Sequence, residues 1–220
     1  MNRLLRAGAA ATVALLAGCT SIETRTMSDT VATQLRGQGV AIATLDPSTF
    51  AVVLTHGVAL GPLGIPEMVA EGQRVLKDYH VVDPADDVAA VLGDAMAGRQ
   101  GVVILSPHVA VRDDDPDAIV AAAPAGARYV LVVGTVSWGV GNLPMPRSNY
   151  FVSYIARARL IDVRTKSVVA EAGCMQAPDG SEFNGAYAQL TANNGELIKT
   201  ELAARADRCI HFLKRDLLAL

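Results

Sequence analysis

YFVSYIARARLIDVRTKSVVAEAGC, residues 150–174, reads as two β-strands joined by a turn. From Tyr150 to Val163 the side chains alternate. Tyr150, Val152, Tyr154, Ala156, Ala158 and Leu160 fall on one face, and Arg157 and Arg159 point the other way. The Arg-bearing face is expected to be the wet one. Lys166 to Cys174 pairs back as a hairpin, and its parity places Val168, Ala170, Ala172 and Cys174 together. Upstream, Arg128 to Trp138 forms a further strand, with Val130, Val132, Val136 and Trp138 expected on one face. Downstream, Ala186 to about Leu217 is helical in pattern. Ile198, Leu202, Ala206, Cys209 and Leu213 make a narrow apolar stripe at 100° per residue, and Asp216 continues it, so the helix should overrun the sheet there. If the stripe covers the face carrying Cys174, the sulfurs of Cys174 and Cys209 come within bonding reach. Two separate buried thiols are the alternative.

The first half alternates short strands with helices. Val40–Leu45 and Phe50–Leu54 are β-rich runs broken by Asp46-Pro47. Gly57–Pro66 is a loop by composition, and Pro66 opens a helix reaching Lys77. A short strand, Tyr79–Val82, leads to a helix capped by Asp83 with Pro84 in its first turn. Val88, Val91, Leu92, Ala95 and Met96 form its apolar face, and Gly98 is expected to end it. Gly101–Leu105 reads as a buried strand, and Asp115-Pro116 starts another helix. The expected fold is therefore α/β: a single domain with a mixed β-sheet flanked by helices and a long C-terminal helix packed on the sheet.

The N-terminus carries an address. Arg3 and Arg6 precede an apolar stretch from Ala7 to Leu16, which ends in Leu16-Ala17-Gly18-Cys19. That stretch is shorter than the roughly 20 apolar residues a bilayer span needs, and small residues precede the cysteine. The pattern is that of a lipoprotein signal: residues 1–18 removed, Cys19 acylated, residues 19–38 a lipidated tether with a short helix near Ser28–Arg36, and residues 39–220 the globular domain. An ordinary secretory signal with an incidental cysteine, or a buried start-transfer helix, is the alternative. Thr20, where an aspartate would favour inner-membrane retention, fits sorting to the outer membrane.

Without residues 1–18 the chain keeps 202 of its 220 residues, and losing Arg3 and Arg6 moves its net charge from −3 to −5. One ordinary domain is the natural reading of that length. Mild acidity without a Lys/Arg cluster excludes nucleic acid as an expected partner. In an oxidising compartment the two remaining cysteines, Cys174 and Cys209, allow one intramolecular bridge.

Motifs for chemistry are sparse. His56, His80, His108 and His211 lack metal-ligand spacing, so no metal is expected, and Ser106-Pro107-His108 is not a nucleophile elbow. Capping accounts for Asp113-Asp114-Asp115-Pro116-Asp117 better than a cation does. Gly57–Gly64 and Gly134–Gly141 fit neither dinucleotide nor phosphate loops, so no cofactor is expected. The stretch from Trp138 to Arg147 is the candidate partner-binding loop, with the chain's only Trp near Leu143, Met145 and Arg147. A core Trp at a strand end, followed by a proline loop, is an equal reading.

LLAGC at the start, YVLVVGTV (129–136), ARLIDVRTKSVVAE (158–171) and a long C-terminal helix together resemble a group of small bacterial envelope lipoproteins. The group includes the curli-secretion lipoprotein, the lipoprotein activators of penicillin-binding proteins and the lipoprotein of Pel polysaccharide export. The resemblance implies a mixed sheet flanked by helices and a non-catalytic role in export, assembly or activation of an envelope machine. No site residue transfers with it. The expected function is an accessory or assembly factor, anchored by its lipid at the periplasmic face of the outer membrane and working with an envelope protein. A periplasmic hydrolase assembled from distant residues and a homo-oligomeric structural lipoprotein are the alternatives.

Overall fold

The computed structural model describes residues 22–59, 61–143, 149–175 and 185–220. The signal stretch and Cys19 lie outside them. Six strands form one mixed sheet: β1 (Gly39–Leu45), β2 (Phe50–Val52), β3 (Val103–Val111), β4 (Tyr129–Asn142), β5 (Tyr150–Asp162) and β6 (Ser167–Met175). Their order is β3-β1-β4-β5-β6, and β2 pairs with the far half of β4 beyond the end of β1. β1 runs parallel to β3 and β4, whereas β4, β5 and β6 form an antiparallel meander. The parallel pairs need crossovers, which the helices supply.

One sheet face carries the main core, built on Ile42, Leu131, Val152, Tyr154 and Leu160. It is covered by α3 (Ile65–Tyr79), α4 (Ala85–Gln100) and α6 (Tyr187–Asp216). The even positions of β5 are buried on this face, as alternation predicts, and Ile198, Leu202, Ala206, Cys209 and Leu213 of α6 pack onto it. Helix α3 approaches β2 so closely that a Cβ at Gly72 would stand 2.1 Å from the Phe50 carbonyl oxygen. Helix α6 is interrupted: Ala192–Gly195 leave helical geometry and Asn193, Asn194 and Gly195 take positive φ. Asp216 ends α6 and pairs with Arg215, while Leu217 and Leu218 turn back into the core. On the opposite face a smaller core of Ala41, Ala43, Val130, Val132 and Ile161 is covered by Ile119 of α5 (Pro116–Ala122).

Several sequence expectations need correction, each for a local reason. A β-bulge at Val136 shifts the pairing from Thr135↔Ala156 to Ser137↔Ile155, so Trp138 and Val140 turn to the helix-covered face and Val136 is exposed. Trp138 does not share a face with Val130 and Val132. A second bulge, between Leu160↔Ala170 and Ile161↔Val168, sends Val168 to the opposite side from Ala170, Ala172 and Cys174. Residues 101–105 are not a buried strand: β3 is a largely exposed edge. Helix α4 continues past Gly98 and ends at Gly101, whose φ of 65° supplies the left-handed cap. Tyr79–Val82 is no strand. Tyr79 ends α3, and His80 takes the left-handed cap. Gly57–Pro66 is not an open loop, since α2 (Thr55–Ala59) and a 3₁₀ turn (Gly61–Gly64) lead into α3.

The packed body also begins before residue 39. Helix α1 (Asp29–Leu35), capped by Ser28, buries Leu35, and Met27 is buried and donates its N–H to the Leu217 carbonyl. Arg25 pairs with Glu171 at the edge of β6, with backbone bonds of 2.6 and 2.8 Å.

Candidate functional site

The expected partner loop resolves into different things. Residues 138–142 are the end of β4. Trp138 is 4 % exposed, stacks edge-on against Phe50 with centroids 4.8 Å apart, and donates its indole N–H to the Ser48 carbonyl at 2.7 Å. It is a core tryptophan, so an exposed aromatic anchor at this position is ruled out. Leu143 follows the strand half-buried, and Met145 and Arg147 lie outside the described residues. Cys174 and Cys209 are joined by a disulfide from β6 to α6, with Cα atoms 5.2 Å apart. Its placement follows from the parity of β6 and the apolar stripe of α6.

The Arg face of the hairpin is not wet. Arg159 is 7 % exposed and Arg157 is half-buried, because the turn before α5 folds down over them. The Asp114 carboxylate pairs with both guanidinium groups, Arg159 also donates to the Asp114 carbonyl at 2.7 Å, and Arg157 lies 3.6 Å from Glu171. Burial pulls both guanidinium groups below the ordinary arginine pKa, and Arg159 adds to the effect at Arg157. The rest of the acidic run caps α5: Asp115 accepts from the N–H groups of Asp117 and Ala118, at 2.8 and 3.3 Å. Asp117 pairs with Lys166.

Beside this ion-pair cluster, on the face that α3, α4 and α6 leave uncovered, lies a cavity of about 640 Å³. Its origin is legible in the register. Gly134, Arg157 and Gly173 form one rung across β4, β5 and β6, and Ser137, Ile155 and Met175 form the next. Two glycines flanking one arginine let side chains of other segments settle directly on the sheet. Leu45 closes in over Gly134 and Ile22 over Gly173, where a Cβ would stand 2.6 and 2.5 Å from them. Val136, Ile155 and Met175 give the floor its apolar character, with Met175 67 % and Val136 45 % exposed. Charges at the rim come in opposite pairs, Arg112 with Asp46 and Arg157 with Asp114. Sequence reading missed this site, although two glycines at matching positions in the strands on either side of β5 are a signal that register would have exposed.

Behind the cavity wall, Thr135 donates to Asp83 Oδ1 at 2.5 Å and lies 3.3 Å from the Tyr154 hydroxyl. Asp83 Oδ1 also accepts from the Ala85 N–H at 3.0 Å, but α4 begins at Ala85 with Pro84 at the cap position, so Asp83 sits one residue ahead of the cap expected of it. Burial raises the Asp83 pKa against these hydrogen bonds, and raises that of Tyr154 further.

His80, His108 and His211 are exposed, and the side chain of His56 lies outside the described ones. Among the described residues no group of His, Cys, Asp and Glu is placed to hold a metal ion, and no helix is long and apolar enough to cross a membrane.

No family model matches the chain, and no curated protein matches it. Solved structures share its general layout. A PelC dodecamer from Paraburkholderia phytofirmans is 14 % identical over 90 % of this chain and 96 % of its own, with a TM-score of 0.38. Protein XCC0632 from Xanthomonas campestris, assigned to DUF330, is 12 % identical over 87 % and 90 %, with a TM-score of 0.37. At that level the likenesses carry no functional argument.

Proposed function

We propose that this chain is a lipid-anchored accessory protein of the bacterial envelope that works by binding and not by catalysis. Cys19 is its acylated N-terminus, and the periplasmic face of the outer membrane is its site. Its working surface is the open sheet face around the Gly134–Arg157–Gly173 rung. One observation carries this reading. Ile22, three residues after Cys19, packs over Gly173, and Arg25 is fastened to the edge of β6, so the tether leaves the body at the cavity. A lipid at Cys19 then lies within about 11 Å of Ile22, counted along an extended chain. That holds the apolar face close to the leaflet. Several buried acyl chains, each methylene contributing roughly 0.8 kcal/mol, keep the body on the membrane.

Palmitate labelling of cells producing the wild-type chain or Cys19→Ser, followed by separation of inner and outer membranes, tests the anchor. Label in the wild type, its loss in the variant and recovery with the outer membrane are expected. An unlabelled wild-type protein in the cytosol would overturn the reading. A photoreactive phenylalanine at Arg112, on the exposed rim of the cavity, should crosslink an envelope protein, whereas the same residue at exposed His211, on α6, should not.

A further inference from the structure

We infer that the cavity between β4, β5 and β6 is the resting place of one of the acyl chains on Cys19, which lies along the sheet from Ile22 toward Val136. The inference rests on the acylation of Cys19 proposed above. Three properties of the cavity fit this occupant. The first is position: the described residues begin at Ile22, whose side chain forms one wall of the cavity, and Cys19 is three residues earlier in the sequence. An occupant attached there needs no search through solution, because the short link holds it at the cavity mouth.

The second is chemistry. Ile22, Leu45, Val136, Ile155 and Met175 present carbon to the space, and the charges at its rim are already matched in sign, Arg112 to Asp46 and Arg157 to Asp114. A charged headgroup or an acidic peptide would have to compete with those carboxylates. An uncharged aliphatic chain competes with nothing. The third is the balance of exposures. An acyl chain moving from leaflet to cavity stays in an apolar medium, so its own transfer costs little. The gain comes from Val136 and Met175, which are 45 % and 67 % exposed without it. The glycine rung lets Leu45 and Ile22, two of the apolar walls, lie directly on the sheet, since a Cβ at Gly134 or Gly173 would collide with them.

The test uses the full chain in intact cells fed a diazirine-bearing palmitate, irradiated before lysis, with the crosslinked peptides identified by mass spectrometry. Links from the Cys19 acyl group to peptides containing Val136, Ile155 or Met175 are expected. Val136→Arg, at an exposed bulge where folding is not at stake, should abolish those links while leaving Cys19 acylated, and Met175→Arg should do the same. An acylated Cys19 whose links run only to phospholipid tails, or to a second protein, overturns the inference and leaves the anchor intact. Links that persist in both arginine variants overturn it as well. A Cys19 without any acyl group overturns the anchor and the inference together.

Discussion

Replacing Trp138 by alanine distinguishes a core tryptophan from a docking one. The indole is 4 % exposed, and its ring meets Phe50 edge-on at 85° with centroids 4.8 Å apart. Truncating a buried Trp to alanine costs about 3–5 kcal/mol in transfer and cavity terms, and such an aromatic pair adds about 0.5–1.5 kcal/mol beyond its area. The Ser48 carbonyl, which accepts the indole N–H at 2.7 Å, also loses its partner. Against a domain stability of roughly 5–15 kcal/mol the variant should sit near the edge of folding. Trp138→Phe keeps a ring against Phe50 and loses only the hydrogen bond and some volume, so its cost should be nearer 1–2 kcal/mol. Urea unfolding followed by far-ultraviolet circular dichroism measures both, since the variants lack the chain's only tryptophan as a fluorophore. A loss below about 1 kcal/mol for the alanine variant, within the range of surface substitutions, would refute the core assignment.

Further outcomes follow from the same coordinates. The disulfide spans 35 residues, so replacing both Cys174 and Cys209 by alanine should cost about 4 kcal/mol through loop entropy; an unshifted urea midpoint on adding reductant would count against the bond. Burial raises the folded-state pKa of Asp83, so the folded state binds its proton more tightly than the unfolded chain and this contribution to stability is lost as pH rises through that raised value. Asp83→Asn keeps an acceptor for Thr135 and Ala85 without the charge. It should be more stable than the wild type at pH 7, with the gap closing toward acid, and thermal melts across pH that show a constant gap would contradict this. Asp114→Asn removes the carboxylate between Arg157 and Arg159 and should destabilise by about 1–3 kcal/mol, an effect that adding Arg159→Met largely reverses in a double-mutant cycle.

The side of β5 that meets the helices, the stripe of α6, the cap at Asp115 and the meeting of Cys174 with Cys209 were all written in local periodicity. Each depends on a period of 2 or 3.6 and on a residue type suited to its terminus, and these act within a few neighbours along the chain. The bulges at Val136 and Val169 were not legible. One extra residue in a strand reverses its parity, and only the pairing with β5 shows where the extra residue sits. That reversal moves Trp138 from a candidate docking surface into the core.

The candidate site lies almost wholly on the second side of this divide. Arg157 and Arg159 look solvent-facing in a hairpin read alone, and their burial depends on the Asp113–Asp117 turn, about 45 residues earlier, folding over them. Gly134 and Gly173 are unremarkable until register sets them on either side of Arg157. By itself the sequence determined the class of the fold and the faces on which Cys174 and Cys209 lie, because those follow from short-range spacing. The tertiary structure decided which face was left open, where its cavity lies and that Ile22 packs beside it, because these depend on which distant segments the sheet brings together.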